Sequence, residues 1–386
     1  MNERIVFLPK QVLSGRRKLA IILATLLLAV TSIAPSHAQT VAGISPDATT
    51  YLDAAIKIMH ENFLHRDKIN WEQLKRDTFA QAAGAQTSVD TYPAIRFALA
   101  SLGDRHSYLQ LTPALTQAES TRKPTLANPS AMPKPPARKQ SFPYPSPFRT
   151  RRVPEGGMVP TPTSPLALVV VPSFASPNRK DLDDFATSIQ TVISGLVAHH
   201  PCGWIVDLRG NGGGNIWAMM AGIGPLLGEG MVRESLDHDL LKTPEFYTDG
   251  AAGQRTNGQD IVYAKSNSAP VVLNGAPPVA VMIDRETGSS AEGIAIAFRG
   301  RPDTHFFGET TFGAATATFP YDLADGAQIY LVIGTMLDRN GNEYPSGISP
   351  DEEILSEATI STNDPVVRAA SQWLLAQNAC HERPAK

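Results

Sequence analysis

The sequence predicts an α/β fold preceded by a helical N-terminal part, and three observations carry that reading. Leu166 to Val171, Trp204 to Leu208 and Pro278 to Ile283 are short, nearly unbroken aliphatic runs. Their length and β-branched content fit buried strands. Each run is followed by a segment with apolar residues at helical spacing: Leu182 to Val197, Ile216 to Leu227 and Ser289 to Arg299. Strand followed by helix, repeated, is the pattern of a largely parallel sheet with crossover helices. Residues 47 to 103 carry helical periodicity alone.

The N-terminus reads as an export signal. Arg16, Arg17 and Lys18 precede an apolar run from Leu19 to Ile33, and Ser36-His37-Ala38 offers small residues for cleavage before Gln39. The run is short for a membrane span, so a cleaved signal peptide over 1–38 and a periplasmic or secreted product are expected, with no stable membrane span afterwards. Loss of its five basic residues and one acid takes the formal charge from −3 to −7. A mildly acidic exported chain is a poor nucleic-acid binder. Cys202 and Cys380 are the two cysteines. Export permits a disulfide, and spacing alone leaves two separate thiols equally open.

Residues 39–112 form the expected helical domain. Thr50 to Phe63 places Leu52, Ala55, Ile56, Met59 and Phe63 on one face; Trp71 to Ala82 and Tyr92 to Leu102 repeat the pattern. His60 and His65 invite a zinc-peptidase reading, but histidines five apart diverge around a helix, so no metal is expected. Gly103 ends the third helix, His106 lies in the turn, and Ser107 to Leu111 alternates like a short strand. Residues 113–164 hold about a dozen of the 31 prolines and several basic residues, which reads as an extended basic linker. From 165 to 386 the α/β pattern runs through further strands near Ile261, His305, Ala317 and Ile329 to a helix over Asn363 to Asn378.

Two loops carry the chemistry. Asp207-Leu-Arg-Gly-Asn-Gly-Gly-Gly-Asn215 follows a strand, but Asn215 stands where the dinucleotide fingerprint needs a third glycine, and the phosphate-loop lysine is missing. What remains is a loop whose backbone N–H groups can approach a ligand oxygen, as an oxyanion hole requires. Ser289 and Ser290 stand at a helix start, where N–H groups lack intrahelical acceptors. Ser289 can act as a nucleophile there, or cap the helix with Glu292 in the Ser-x-x-Glu pattern.

Five stretches in order resemble the S41 peptidases, the family of the C-terminal processing proteases and the tricorn core. They are Leu102-Gly-Asp-Arg-His-Ser107, Leu208-Arg-Gly-Asn-Gly-Gly-Gly214, Thr287-Gly-Ser-Ser-Ala-Glu292, Gly308-Glu-Thr-Thr-Phe-Gly313 and Glu343-Tyr-Pro-Ser-Gly-Ile-Ser-Pro-Asp351. The resemblance implies a crotonase/ClpP-like core over 165–386, no cofactor, and peptide or unfolded protein as substrate. It makes Ser289 the nucleophile, with oxyanion N–H groups from Ser290 and Gly213. Ala314 stands where the processing proteases carry their lysine base, which excludes a Ser-Lys dyad. The tricorn-like branch then implies His106 as base and Glu343 as orienting acid. Its second serine precedes the histidine, where this chain has Arg105; Ser107, which follows, is the nearest candidate. Glu343 also fits a polar hairpin after Asp338-Arg-Asn-Gly-Asn342, and Glu292 fits a structural anchor. The alternative is a non-catalytic protein of the same fold that binds a hydrophobic ligand or peptide. The residues set no oligomeric state.

Overall fold

Helix formation begins where side chains satisfy the first free N–H groups. Ser45 accepts Ala48 N–H ahead of α1 (Pro46–Asn62), Asn70 accepts Gln73 N–H ahead of α2 (Trp71–Gln81), and Thr87 and Asp90 cap α3 (Ser88–Ser101) reciprocally. The computed structural model describes residues 43–121, 146–162, 164–273, 275–356 and 363–381. The expected signal peptide and residues 122–145 of the proline-rich stretch lie outside the described residues. After α3 a turn leads into β1 (Tyr108–Gln110) and α4 (Pro113–Ser120). A 3-10 turn at Pro147–Thr150 precedes β2 (Glu155–Val159). The stretch expected as a linker therefore contributes folded structure at both ends.

The α/β part follows. β3 (Leu166–Val170), α5 (Arg179–Val197), β4 (Gly203–Asp207) and α6 (Ile216–Leu227) match the sequence reading closely. Next come β5 (Gly230–Asp237), β6 (Lys242–Thr248), β7 (Ala251–Thr256) and β8 (Gln259–Lys265). β9 (Val279–Ile283), α7 (Ser290–Phe298) and β10 (Thr304–Gly308) lead to β11 (Thr316–Asp322), β12 (Gln328–Leu337) and β13 (Glu352–Glu353). α8 (Pro365–Leu375) and α9 (Asn378–His381) complete the described chain.

Among the described residues these strands form two sheets. The six-stranded sheet runs β13-β10-β9-β4-β3-β2, with only β2 antiparallel to its neighbour. The seven-stranded sheet runs β1-β12-β5-β6-β7-β8, with β11 also on β12, and is antiparallel throughout. The expectation of a largely parallel sheet thus holds for one sheet and fails for the other. The reason is local: Asp249-Gly250 and Asn257-Gly258 both adopt positive φ, the geometry of tight hairpin turns that force antiparallel pairing.

α5, α6 and α7 share one apolar core with β3, β4 and β9, including Ile189, Ile223, Ile294, Val206 and Val281. α8 covers the other face through Val366, Ala370 and Leu374 against Leu166, Ile205 and Ala280. There Cys202 and Cys380 form a disulfide with Cα atoms 5.0 Å apart, which resolves the choice the spacing left open. The N-terminal helices pack on β12, where Leu52, Tyr92 and Ile95 share a core with Ile329 and Leu331. Tyr51 and Tyr92 hydroxyls both donate to Asp325 in the β11–β12 turn, each at 2.7 Å. That docking brings the α3–β1 turn, and with it His106, to the seven-stranded sheet.

Candidate active site

β4 and β9 are parallel neighbours, so their C-terminal ends open side by side. The glycine loop leaves β4 and the Asp284–Gly288 turn leaves β9; Gly288 N–H donates to Asn211 O at 2.9 Å and joins them. Ser289 sits at φ +52°, ψ −119°, a backbone conformation costly for a residue with a side chain. A Cβ at Gly213 (φ +108°) would lie 2.7 Å from Ser289 Cβ and 3.0 Å from Ser290 N, so only glycine fits there. Gly213 N–H donates to Asn211 Oδ1 at 2.9 Å. Its role as an oxyanion donor is therefore not free in this state; what it supplies is the missing Cβ. Ser290 opens α7, and its hydroxyl donates to Gly214 O at 2.6 Å.

Glu292 is fully buried and holds the surroundings of Ser289 together. Its Oε2 accepts Ser289 N–H at 2.9 Å and Ala314 N–H at 2.8 Å; its Oε1 accepts the Thr311 hydroxyl at 2.6 Å and Gly313 N–H at 2.8 Å. Burial pushes its carboxyl up and these donors pull it down, with a net rise. A carboxylate with four donors is an anchor, as the sequence reading had it.

His106 lies in a turn shaped by Asp104, whose Oδ1 accepts the N–H of His106 at 2.7 Å and of Ser107 at 2.6 Å. His106 Nδ1 lies 2.8 Å from Thr316 Oγ1. Burial pushes the imidazole below its ordinary 6.5, opposed by the Asp104 charge and a hydrogen bond to Thr316. Ser107 Oγ accepts Val332 N–H at 3.0 Å, which ties the turn to β12.

His106 and Ala314 line one cavity of about 650 Å³, together with Phe63, His65, Lys68, Arg285, Phe312 and Glu343. Ser289 reaches this wall through Glu292, which holds both its N–H and that of Ala314. Among the described residues no hydrogen bond joins His106 to Ser289. Glu343 is exposed at the cavity wall, bridged to Leu337, and its charge acts on His65. The partner of the His106 ring is Thr316, a residue the sequence reading passed over. Its only signal was a position two residues beyond Ala314. Among the described residues no group of three His, Cys, Asp or Glu could hold a metal.

Residues 165–354 match the family model of peptidase family S41. Over that span the chain belongs to this family. Its peptidase core includes Ser289, the glycine loop and Glu343, while His106 lies upstream of the match. A nisin-resistance protein of Lactococcus lactis subsp. lactis is 26% identical over 338 residues, covering 86% of this chain and 89% of that one. A solved lipoprotein from Streptococcus agalactiae is 18% identical with a TM-score of 0.58, over 86% of this chain and 96% of that chain. The photosystem II D1 C-terminal processing protease is 16% identical with a TM-score of 0.55, over 87% and 99% respectively. These two solved structures share the α/β fold of the S41 chain. Among the described residues no helix is long and apolar enough to cross a membrane.

Proposed function

We propose that this S41 chain is an exported serine peptidase, with Ser289 as nucleophile and His106 as general base. The observation that carries it is Ser289 itself, held at positive φ at the mouth of α7 against a glycine that no other residue could replace. A non-glycine residue holds φ +52° with ψ −119° only where its surroundings enforce it, and strain of this kind clusters at functional sites. Burial keeps the His106 imidazole neutral at neutral pH, the form that accepts a proton. Ser289 Oγ attacks the substrate carbonyl as His106 takes its proton. The Ser290 N–H at the helix mouth stabilises the oxyanion. The amine leaves with the proton from His106, and water hydrolyses the acyl-enzyme by the same route in reverse order. Thr316 orients the ring through Nδ1; Glu343 acts from the cavity wall, and Ser107 is a positioning residue. The Cys202–Cys380 disulfide fits an oxidising compartment.

The relative named for nisin resistance makes nisin a test substrate beside generic peptides. Labelling by a fluorophosphonate probe, compared between wild type and Ser289→Ala, tests the mechanism. Labelling confined to wild type supports it, with peptide cleavage falling on the order of 10⁶-fold in the variant. Equal labelling, or none in either protein, overturns it in favour of the ligand-binding alternative.

A further inference from the structure

Asp284 takes no part in the mechanism above, yet it is fully buried at the end of β9, at the point where three segments meet. Its Oδ1 accepts N–H groups from Gly210 in the glycine loop and from Glu286 and Thr287 in the nucleophile turn, each at 3.0 Å. Thr287 closes the same junction: its hydroxyl accepts Asp284 N–H and donates to Leu208 O, both at 3.0 Å. The other carboxylate oxygen, Oδ2, accepts the Ser146 hydroxyl in a short hydrogen bond.

Ser146 begins a strap over 146–152 that touches both loops again. Its N–H donates to Glu286 Oε1 at 3.2 Å. Phe148 lies so close over Gly210 (φ +71°) that a Cβ there would meet the Phe148 carbonyl carbon at 2.3 Å. The Arg209 and Arg151 guanidiniums lie 4.0 and 4.5 Å from the Phe148 ring centroid, and both bind Asp207 at the end of β4. The strap is thus fixed to the glycine loop and to the serine turn by separate contacts.

We propose that Asp284 and Ser146 are positioning residues that set the register between the glycine loop and the Ser289 turn, and that the 146–152 strap is the part which locks it. The geometry requires a link of this kind. The two loops leave different strands, and between them Gly213 and Ser289 must approach to a distance that a methyl group would fill. Gly288 N–H to Asn211 O ties the loops backbone to backbone, with Ser289 the next residue, and the Ser290 hydroxyl on Gly214 O and the Thr287 hydroxyl on Leu208 O are the direct side-chain ties. A carboxylate can accept several donors at once, which a backbone carbonyl cannot match. Asp284 uses that capacity to bind both loops, and the strap supplies the donor for the oxygen they leave over.

The inference rests on the serine-peptidase reading for its catalytic consequence, and on backbone exchange for its structural one. Ser146→Ala, Asp284→Asn and Asp284→Ala are compared with wild type in the full chain. Hydrogen exchange is followed in peptides covering 208–215 and 285–291, alongside kcat, KM and the thermal midpoint. Ser146→Ala removes one hydroxyl, so it keeps the test valid where Asp284→Ala does not fold. Both peptides are expected to exchange at least tenfold faster in Ser146→Ala, together and ahead of the rest of the core. kcat is expected to fall by about 10²-fold, the cost of a misplacement near 1 Å, with KM little changed. Asp284→Asn, which keeps an acceptor for the three N–H groups, recovers most of both effects relative to Asp284→Ala. Unchanged exchange in the two peptides, a change in one peptide alone, or faster exchange spread across the molecule in step with a lower midpoint overturns the proposal. Absence of Ser289-dependent labelling in wild type sinks the peptidase mechanism instead, and leaves the exchange result to decide the register claim by itself.

Discussion

His106 shows what a single residue's surroundings do to its chemistry. Burial lowers its imidazole below 6.5, so the acid limb of the activity profile lies at lower pH than for a free histidine. The same shift has a stability sign. Below 6.5 the unfolded chain binds the proton first, so folding stability falls as pH drops from 6.5 towards the lowered folded value. The pH–kcat/KM profile checks the first statement: an acid limb at or above 6.5 contradicts it. The ring's partner carries a second prediction. Thr316→Val removes the group on Nδ1 and is expected to lower kcat by about tenfold or more, whereas Glu343→Gln, at an exposed position, costs less. Steady-state kinetics on the two variants decide the order. His106 and Ser289 were named as candidates through the resemblance to the S41 peptidases. Thr316 was not, because a threonine in a strand has no mark until the fold brings it to a ring 210 positions away.

Among the elements, the helix mouth at Ser289 and the glycine loop work as one object. Gly213→Ala is expected to displace Ser289 and cut activity by about 10²-fold or more, because the added carbon would sit 2.7 Å from Ser289 Cβ at a φ of +108°. Probe labelling together with a thermal melt separates a displaced site from an unfolded one: near-normal labelling contradicts the prediction. α5, α6 and α7 were readable because their apolar residues recur every three to four positions and a buried face enforces that spacing. β5 to β7 were not, though the Asn257-Gly258 hairpin signal lay in view. Glu234, Arg233, Glu245 and Gln254 break the apolar alternation that marks a half-buried strand, and Arg233 and Glu245 are buried only because they face each other. The segment at 146–159 read as a connector since proline and arginine obscure periodicity; its order comes from contacts with distant loops.

At the level of the whole molecule, two features set how the fold responds to its surroundings. The disulfide joins the start of β4 to α9 across 178 residues. Replacing both cysteines by serine is expected to cost about 2–4 kcal/mol of stability, read from denaturant midpoints; no change would mean the bond adds nothing to the fold. Asp207 anchors the second. Burial pushes its carboxyl up, and the Arg209 and Arg151 guanidiniums overcome that and hold it down to about 2 from 3.8. Its contribution is complete above 3.8 and lost as pH falls through about 2, worth about 2 kcal/mol. Melting curves between those pH values should fall more steeply for wild type than for Asp207→Asn; parallel curves contradict it.

The linear order of residues was enough to settle the alternation of strands and helices after residue 165, the glycine loop and the serine at a helix start. Each of these is local, decided by neighbours within a few positions. The chain's folding back on itself settled the rest: the antiparallel second sheet, the cysteine pairing, Glu292 as an anchor, Thr316 beside His106, and Gly213 N–H turned to Asn211. Those depend on which distant groups meet, and a hydrogen bond or a steric limit exists only once they do.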